Sequence, residues 1–461
     1  MKKGFRFYIA LWGAKIIHKT LEIVRGKSTF ISGKIALKIC PDFIGLIGKP
    51  EKIIAVTGTN GKTTVSNMIV DVLENSVGEV LNNRLGANTI AGVATCFMQN
   101  ATIGGKCKKE YGVLEVDERS SILVYEHVKP TYLVVTNMLR DSIRRNAHTE
   151  FITGIINKAI PKETILIENG DDLIASSIGK ENKKVFFGID QLEGETGESK
   201  NLVRDIVSCP ECGAKLEYDY IRNNHIGKAH CPNCSFSSPE CNYRVSKIDF
   251  ENKKMIVNEK GEEKEYPIIS NSLFNIYNML AAISVLREFG IESQKIAESF
   301  TKAKITESRY SEYQAGDISL IMHLTKGQNP LACSNVFNYV KNEPGKKAII
   351  LIIDDFFDAK NSSENITWIY DCDFEFLNDE NIEQIVIGGP RHLDDYVRLL
   401  MAGVPEEKLV STRDETDTIK YLKTEGIEKI FLLHDMYTYD YALKIKEELI
   451  SQMQKKGEEQ V

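Results

Sequence analysis

The chain has 461 residues, of which 42% are apolar and 27% charged, an ordinary composition for a soluble globular protein. Its length leaves room for two to four domains. The net charge of −7 argues against a protein built to bind nucleic acid, which needs a basic face.

The opening stretch MKKGFRFYIALWGAKIIHKTLEIV has the basic start of a signal peptide. Its apolar run is short, is broken by Lys15 and lacks a small-residue cleavage site. It is also too short to span a bilayer as an uninterrupted segment. Phe7, Leu11, Ile17 and Leu21, with basic residues between them, suit an amphipathic helix. Two readings stay open for that helix: packing on the protein's own core, or resting on a membrane surface. No other segment reads as transmembrane, and the expected location is cytoplasmic, with the inner membrane face as its alternative.

Next comes VTGTNGKTTV, residues 56–65, between the apolar β-branched run KIIAVTG and the helical pattern of TTVSNMIVDVLEN. The usual phosphate loop asks for Gly, four residues, then Gly-Lys-Ser/Thr. Here Gly61, Lys62 and Thr63 fill the last places, Val56 occupies the leading slot, and the first glycine is displaced to Gly58. The grip on phosphate survives that shift. A helix N-terminus offers free N–H groups and a positive dipole end, and two glycines let backbone amides close around an anion. We read Gly58, Thr59, Asn60, Gly61, Lys62, Thr63 and Thr64 as a nucleotide loop, with Lys62 on the β- and γ-phosphates and Thr63 on Mg²⁺. The bland alternative is a glycine-rich turn with an exposed lysine.

Strands YGVLEV, TYLVVTN and ETILIEN then alternate with helical stretches, the pattern of a parallel α/β sheet. Five of the ten cysteines crowd into residues 209–241. Cys209 and Cys212 form one C-x-x-C and Cys231 and Cys234 a second, in the knuckle-like turns CPECG and CPNCS, the spacing of a zinc ribbon. His225, His230 and Cys241 lie close by and are read as non-ligands, and the flanking EYDY and SSPE are not basic. Further on, KIDFENKKMIVNEKGEEKEYPI alternates like paired strands around a glycine turn, and NSLFNIYNMLAAISVLREFGI reads as an amphipathic helix stopped by Gly290. The pattern then restarts, with KAIILIIDD, IEQIVIGG and KIFLLHD as three buried strands. The predicted organisation is a helical lead-in at 1–48, a central domain at 49–304 with the ribbon inserted at about 200–245, and a C-terminal α/β domain at 305–461.

TGTNGKTTV, LEV, VVTN and the N-x-x-N-x-x-A-A of Asn275 to Ala282 together resemble the Mur ligase superfamily, which includes the folylpolyglutamate synthetases. NNRLGANTIAGVAT, LEVDE, VVTNMLRDSIRR, the four-cysteine ribbon, TWIYDCDFE and the lead-in GKIALKICPDF look more narrowly like the MurT family, the ligase-like subunits of lipid II isoglutaminyl synthase. The resemblance implies an α/β fold with a Mur ligase-type P-loop central domain carrying an inserted zinc ribbon, followed by a smaller Rossmann-like C-terminal domain. It implies ATP, Mg²⁺ and Zn²⁺ as cofactors, lipid II as substrate, and a class I glutaminase of the GatD type as partner in a heterodimer. No nucleic acid is expected, because the composition is acidic. The expected reaction activates the α-carboxyl of D-glutamate in the stem peptide as an acyl phosphate, and ammonia from the partner then gives D-isoglutamine. The chain has no nucleophile-elbow cysteine of its own, which suits an outside source of ammonia.

The resemblance also assigns roles. Glu115 matches the carboxylate that holds Mg²⁺ together with Thr63, and hard oxygen ligands suit that ion; Asp117 and Glu118 follow it. Asn278 matches a nucleotide-contacting asparagine, with Asn275 beside it, and Arg309 an arginine that reaches ATP phosphates. Asn83, Arg84, Gly86 and Asn88 lie in a loop that could meet the substrate peptide. Ser142 stands where amino-acid-adding relatives carry histidine, which favours amidation over peptide-bond formation. In IDDFFDAKNSSENITWIYDCDFE the family's A-D-G signature is missing and Asn365 replaces the usual Asp before Trp368. In the family an aspartate of this region completes the partner's Cys-His pair. Asp371 is the choice here, with Asp355 and Asp373 behind it. Two further readings stay open: a stand-alone ligase adding an amino acid, and a paralogue acting on another carboxylate.

Overall fold

The computed structural model describes residues 3–25, 30–84, 87–141, 148–270, 272–302, 310–316, 318–325, 329–353, 356–357, 359–363 and 366–458. The chain divides into two compact units. The first comprises Met1–Leu139, His148–Ser199 and Ile206–Lys304; the second comprises Arg140–Ala147, Lys200–Asp205 and Ile305–Val461.

In the first unit, helices α1 (Phe5–Arg25), α2 (Ile31–Ile39) and α3 (Phe43–Leu46) precede β1 (Lys52–Thr57) and α4 (Lys62–Val77). There follow β2 (Leu81–Asn82), α5 (Ile90–Gln99), β3 (Tyr111–Glu115), α6 (Ser121–Tyr125), β4 (Tyr132–Val135), α7 (Thr149–Ala159), β5 (Ile165–Asn169) and β6 (Lys184–Ile189). A hairpin, β7 (Glu217–Asn223) and β8 (Ile226–His230), precedes the meander β9 (Tyr243–Asp249), β10 (Lys254–Glu259) and β11 (Glu262–Pro267). Helices α8 (Leu273–Phe289) and α9 (Ser293–Lys302) close the unit. Nine strands form one sheet in the order β11-β10-β9-β6-β5-β4-β1-β3-β2, parallel from β2 to β9 and antiparallel through the meander.

Alternation along each strand divides the core. Ile53, Ala55, Leu114 and Leu133 face one apolar layer with α1, α2, α3 and α5, whereas Ile54, Val56, Val113 and Val134 face another with α4, α8 and α9. Both faces of the sheet are therefore covered, which is why these strands read as unbroken apolar runs. The amphipathic reading of α8 is corrected here. From Ile276 to Leu286 every residue but Tyr277 is buried, because the helix is wedged among the sheet, α4 and α9. Gly290 does end it, at φ 106°, and its N–H donates to Leu286 O and Arg287 O.

The second unit contains β12 (Tyr310–Ala315), β13 (Ile318–Leu324), α10 (Pro330–Asn342), β14 (Lys347–Ile352), β15 (Phe356–Phe357) and β16 (Ala359–Ser363), then two short 3₁₀ turns at Ile366–Tyr370 and Phe374–Leu377. It continues with β17 (Ile382–Gly388), α11 (His392–Met401), β18 (Leu409–Thr412), α12 (Thr418–Tyr421), β19 (Lys429–His434) and α13 (Tyr439–Glu458). Its six-stranded sheet runs β12-β13-β19-β14-β17-β18, antiparallel only between β12 and β13. Ile349 and Leu351 of β14 pack with α10 and the 3₁₀ turns, while Ala348, Ile350 and Ile352 pack with α13.

Candidate functional site

β1 ends at Thr57, and the loop turns into α4 through two left-handed glycines, Gly58 at φ 126° and Gly61 at φ 85°. A Cβ on Gly61 would lie 2.1 Å from Asn278 Oδ1, and one on Gly58 would lie 2.3 Å from Thr136 Oγ1, so neither place admits a side chain. The shape of the loop is set by Thr136 and Asn137 at the end of β4. Thr59 N donates to Asn137 O at 2.9 Å, and the Thr59 hydroxyl is shared with Leu139 N and O at 3.0 and 2.9 Å. Asn60 N donates to Asn137 Oδ1 at 3.0 Å, while Asn60 O accepts from Asn137 Nδ2 at 3.0 Å and Thr136 Oγ1 at 2.6 Å. The backbone of Asn60 and both the backbone and the hydroxyl of Thr59 are thus engaged in holding the loop. Lys62 folds back on Gly58 O and Thr59 O, and its Nζ lies 2.7 Å from Glu118 Oε1. Thr63 and Thr64 are partly exposed in the first turn of α4.

Glu115 ends β3 in register with Val56, two residues before Gly58 on the neighbouring strand. Its side chain accepts from Asn88 Nδ2 at 3.1 Å, and its backbone is bracketed by the Asn83 amide. Asp117 Oδ1 accepts from Arg119 N and Ser120 N at 3.1 and 3.3 Å, in the turn that precedes α6. Glu118 is 2% exposed; burial pushes its carboxyl up and the Lys62 ammonium pulls it back. Arg84 is held on α4 by Asn67 and Asp71. Asn275 donates to Ser270 Oγ at 3.1 Å. Arg309, Gly86, Ser142, Asp355 and Asn365 lie outside the described residues. The parts that meet are a cradle of backbone amides at a helix N-terminus, one ammonium, and the carboxylates at and just after the end of the neighbouring strand β3. Such a set binds a polyphosphate with a hard divalent cation.

The sulfurs of Cys209, Cys212, Cys231 and Cys234 all lie within 4.8 Å of one another. Cys209 and Cys234 are 3.6 Å apart, and Cys212 and Cys231 3.4 Å. Zn–S bonds of about 2.3 Å in a tetrahedron require sulfurs about 3.8 Å apart, so the set fits that ion. The N–H of Ala214 draws the Cys212 thiol down to about 7. None of the ten cysteines is in a disulfide. The segment has little core of its own: its buried cluster is Leu173, Leu216, Ala229 and two of the cysteines, Cys209 and Cys231. Burial of an apolar side chain contributes roughly 1.5–3 kcal/mol, whereas ordering each residue costs about 1–2 kcal/mol. A metal ion bound by the four sulfurs would close that deficit.

The hairpin tip is anchored to the sheet by side chains. Arg222 stacks on Tyr220 at 4.4 Å and bonds bidentately to Glu195, at 2.6 and 2.9 Å. It also reaches Tyr277 Oη at 2.6 Å and Asp171 at 3.3 Å. His225 is fully buried, and its Nε2 lies 2.9 Å from Asp172 Oδ1. Asp172 Oδ2 in turn accepts from Met138 N at 2.7 Å, within the segment that holds Thr59 and Asn60. His230 pairs with Glu217 and Asp219, and Cys241 packs near Gly170 and Gly188.

In the second unit, Asp373 is buried and spent internally: it accepts from Asn201 Nδ2 at 2.7 Å and Leu202 N at 2.6 Å. Asp371 keeps 34% of its side chain exposed, with Arg140 Nη1 3.6 Å from its Oδ2. Arg398 fastens the turn by donating to Ile369 O, Cys372 O and Glu375 at 2.8–3.0 Å.

A family profile described as Mur ligase middle domain matches residues 56–209, and one described as MurT ligase C-terminal matches residues 326–439. Over 431 residues the chain is 30% identical to the Streptococcus pneumoniae R6 protein named lipid II isoglutaminyl synthase (glutamine-hydrolyzing) subunit MurT, covering 92% of this chain and 93% of that one. The chain belongs to the MurT family. The Staphylococcus aureus COL protein of the same name is 30% identical over 413 residues, 89% of this MurT-family chain and 91% of its own. Among solved structures, a pseudomurein peptide ligase type C from Methanothermus fervidus shares the fold at a TM-score of 0.67 and 20% identity, over 89% of this chain and 81% of that one. MurF from Acinetobacter baumannii shares it at 0.63 and 14% identity, over 91% and 80%. Sequence reasoning missed what Thr136, Asn137, Asp172 and Arg222 do. VVTN was visible as a family marker, but no pattern in sequence announces that Asp172 meets both His225 and Met138.

Proposed function

We propose that this chain is the ligase subunit of a glutamine-dependent amidotransferase that acts on lipid II. The observation that carries the reading is 30% identity over about nine-tenths of the chain to proteins named as the MurT subunit of lipid II isoglutaminyl synthase. ATP supplies the phosphoryl group that turns the D-glutamate α-carboxylate of the stem peptide into an acyl phosphate. Ammonia then attacks that carbonyl, phosphate leaves, and D-isoglutamine results. The loop from Gly58 to Thr64 holds the phosphates: Lys62 and the amides at the start of α4 grip and neutralise them, while Thr59 and Asn60 keep the loop in shape. Thr63 and Glu115 supply oxygen ligands for Mg²⁺, and Asn278 and Arg309 contact the nucleotide. Cys209, Cys212, Cys231 and Cys234 hold a structural zinc.

Ammonia comes from a class I glutaminase of the GatD type, bound as a heterodimer. A Cys-His pair needs a carboxylate to orient its imidazole and stabilise the imidazolium. Asp371 is the residue for that task, because its carboxylate is partly open whereas that of Asp373 is closed inside the unit. The protein acts from the cytoplasmic side on a substrate held at the membrane.

Reconstitution of the chain with its glutaminase, lipid II and Mg·ATP tests the reading. Mass spectrometry should find replacement of one carboxyl OH by NH₂, driven by glutamine or by ammonium alone, and never without ATP. Incorporation of an amino acid with no need for either nitrogen source would instead establish a stand-alone ligase.

A further inference from the structure

Helix α1 is apolar on two opposite faces. Phe7, Ala10, Leu11 and Ala14 are fully buried in the first core layer. On the outside, Phe5, Ile9, Trp12, Ile16 and Ile23 recur at helical spacing and remain 79%, 43%, 48%, 68% and 78% exposed. Ile103, 79% exposed, extends this ridge: its carbonyl accepts from Trp12 Nε1 at 2.9 Å, while Lys3 ties the same loop to α1 through Gly104 O and Gly105 O. A helix packed by one face on a core presents polar residues on the other. Here the second face is as apolar as the first and is open to solvent.

Charge says what such a face suits. The chain carries a net −7, yet its first 27 residues hold seven Lys and Arg and a single acid, Glu22. Arg6 and Lys19 on α1, and Lys106 and Lys108 beside Ile103, are exposed around the ridge. A basic rim repels a second copy of the same face. An apolar ridge with an exposed Trp, rimmed by cations, matches an anionic bilayer surface. Among the described residues no helix is long and apolar enough to cross a membrane; α1, about 31 Å long, lies along the surface instead.

We infer that α1 is an interfacial anchor, with Phe5, Ile9, Trp12, Ile16 and Ile103 seated among the headgroups of an anionic bilayer. The inference gives the proposed lipid-linked reaction its docking face and rests on that reading for its purpose, but its test needs no substrate. The full chain is mixed with phosphatidylcholine vesicles with or without phosphatidylglycerol, and neither lipid II nor ATP is present. Co-sedimentation should require the anionic lipid and weaken with salt, and tryptophan emission should shift to the blue, since Trp12 is exposed and Trp368 buried. Ile16→Glu with Phe5→Ser should cut partitioning about tenfold or more, with an unchanged thermal melt; Lys106→Glu with Lys108→Glu should weaken it while leaving the ridge intact. Absence of binding to anionic vesicles at low salt overturns the inference, as does equal partitioning of the first double variant. So does a dimer in solution that the same variant dissolves. Failure to amidate lipid II with glutamine or ammonium and Mg·ATP, with vesicle binding preserved, would count against the proposed reaction alone.

Discussion

Lys62 is more than a surface cation on a loop. It is 14% exposed and paired with Glu118, which is 2% exposed. From the sequence, Lys62→Ala is expected to abolish ATP turnover and leave the fold untouched. The geometry changes the second half of that expectation. Removing the lysine strands a buried carboxylate, which costs roughly 3–5 kcal/mol when a buried pair is broken on one side. Lys62→Ala should therefore lose ATP turnover and also shift the urea midpoint downward. Lys62→Ala with Glu118→Gln should restore the midpoint without restoring turnover, and a midpoint unmoved in the single variant would refute the pairing. Glu168 at the end of β5 offers a second test. It is fully buried with Lys184 Nζ 3.2 Å away, and burial pushes its carboxyl up to about 8. Unfolded, it titrates near about 4.3, so between these values the folded chain holds a proton that the unfolded chain has released. Stability therefore falls as pH rises from about 5 to 8. Glu168→Gln should remove this decline, gaining roughly 1–3 kcal/mol at pH 8 and little at pH 5. Denaturant titrations at both pH values decide it.

The hairpin of β7 and β8, beside the four cysteines, is the element whose role the structure enlarges. Its tip reaches the phosphate loop through His225, Asp172 and Met138 N, and it reaches α8 through Arg222 and Tyr277, next to Asn278 against Gly61. Elemental analysis should find about one zinc per chain. Chelation, or Cys231→Ser, should loosen the hairpin and raise the KM for ATP by roughly fivefold, a coupling of about 1 kcal/mol. Loss of zinc with no change in KM would reduce the hairpin to a separate appendage. Helix α8 teaches the opposite lesson. Its apolar residues had helical spacing and its stop at Gly290 was legible, yet the amphipathic pattern gave no sign that the helix is buried nearly all round. Asn278 and Ser284 are buried, the Ser284 hydroxyl donating to Leu280 O at 2.7 Å.

At the scale of the molecule, the proposed reaction is divided between units: phosphate chemistry belongs to the first, and the carboxylate offered to a glutaminase to the second. Asp371→Asn should lower glutamine-driven amidation by roughly a thousandfold while ammonium still supports product at the wild-type rate. Equal loss with both nitrogen sources would move the defect into the ligase itself and remove Asp371 from the partner's triad. The second unit also draws Arg140–Ala147 and Lys200–Asp205 from the middle of the chain. Arg140, bonded to Asp205 and near Asp371, and Asn201, bonded to Asp373, brace the TWIYDCDFE turn from sequence far upstream.

What the chain itself determined is local. The strand, the GKTT turn and the helix, the two C-x-x-C knuckles, the glycine stop at Gly290 and the three buried strands of the second sheet each depend on residues within one element. Periodicity and turn chemistry record such features directly. The exposed second face of α1 was half legible: the pattern showed an amphipathic helix, but only packing decided that Phe7 and Leu11 go inward and leave Phe5, Trp12 and Ile16 outside. Tertiary structure alone decided that Thr59 and Asn60 hold their own loop, that Glu118 pairs with Lys62, and that Asp373 is closed while Asp371 is open. Each of these turns on contacts between residues tens to hundreds of positions apart. Hydrogen bonds and buried charges depend on distance in space, for which a linear pattern carries no signal.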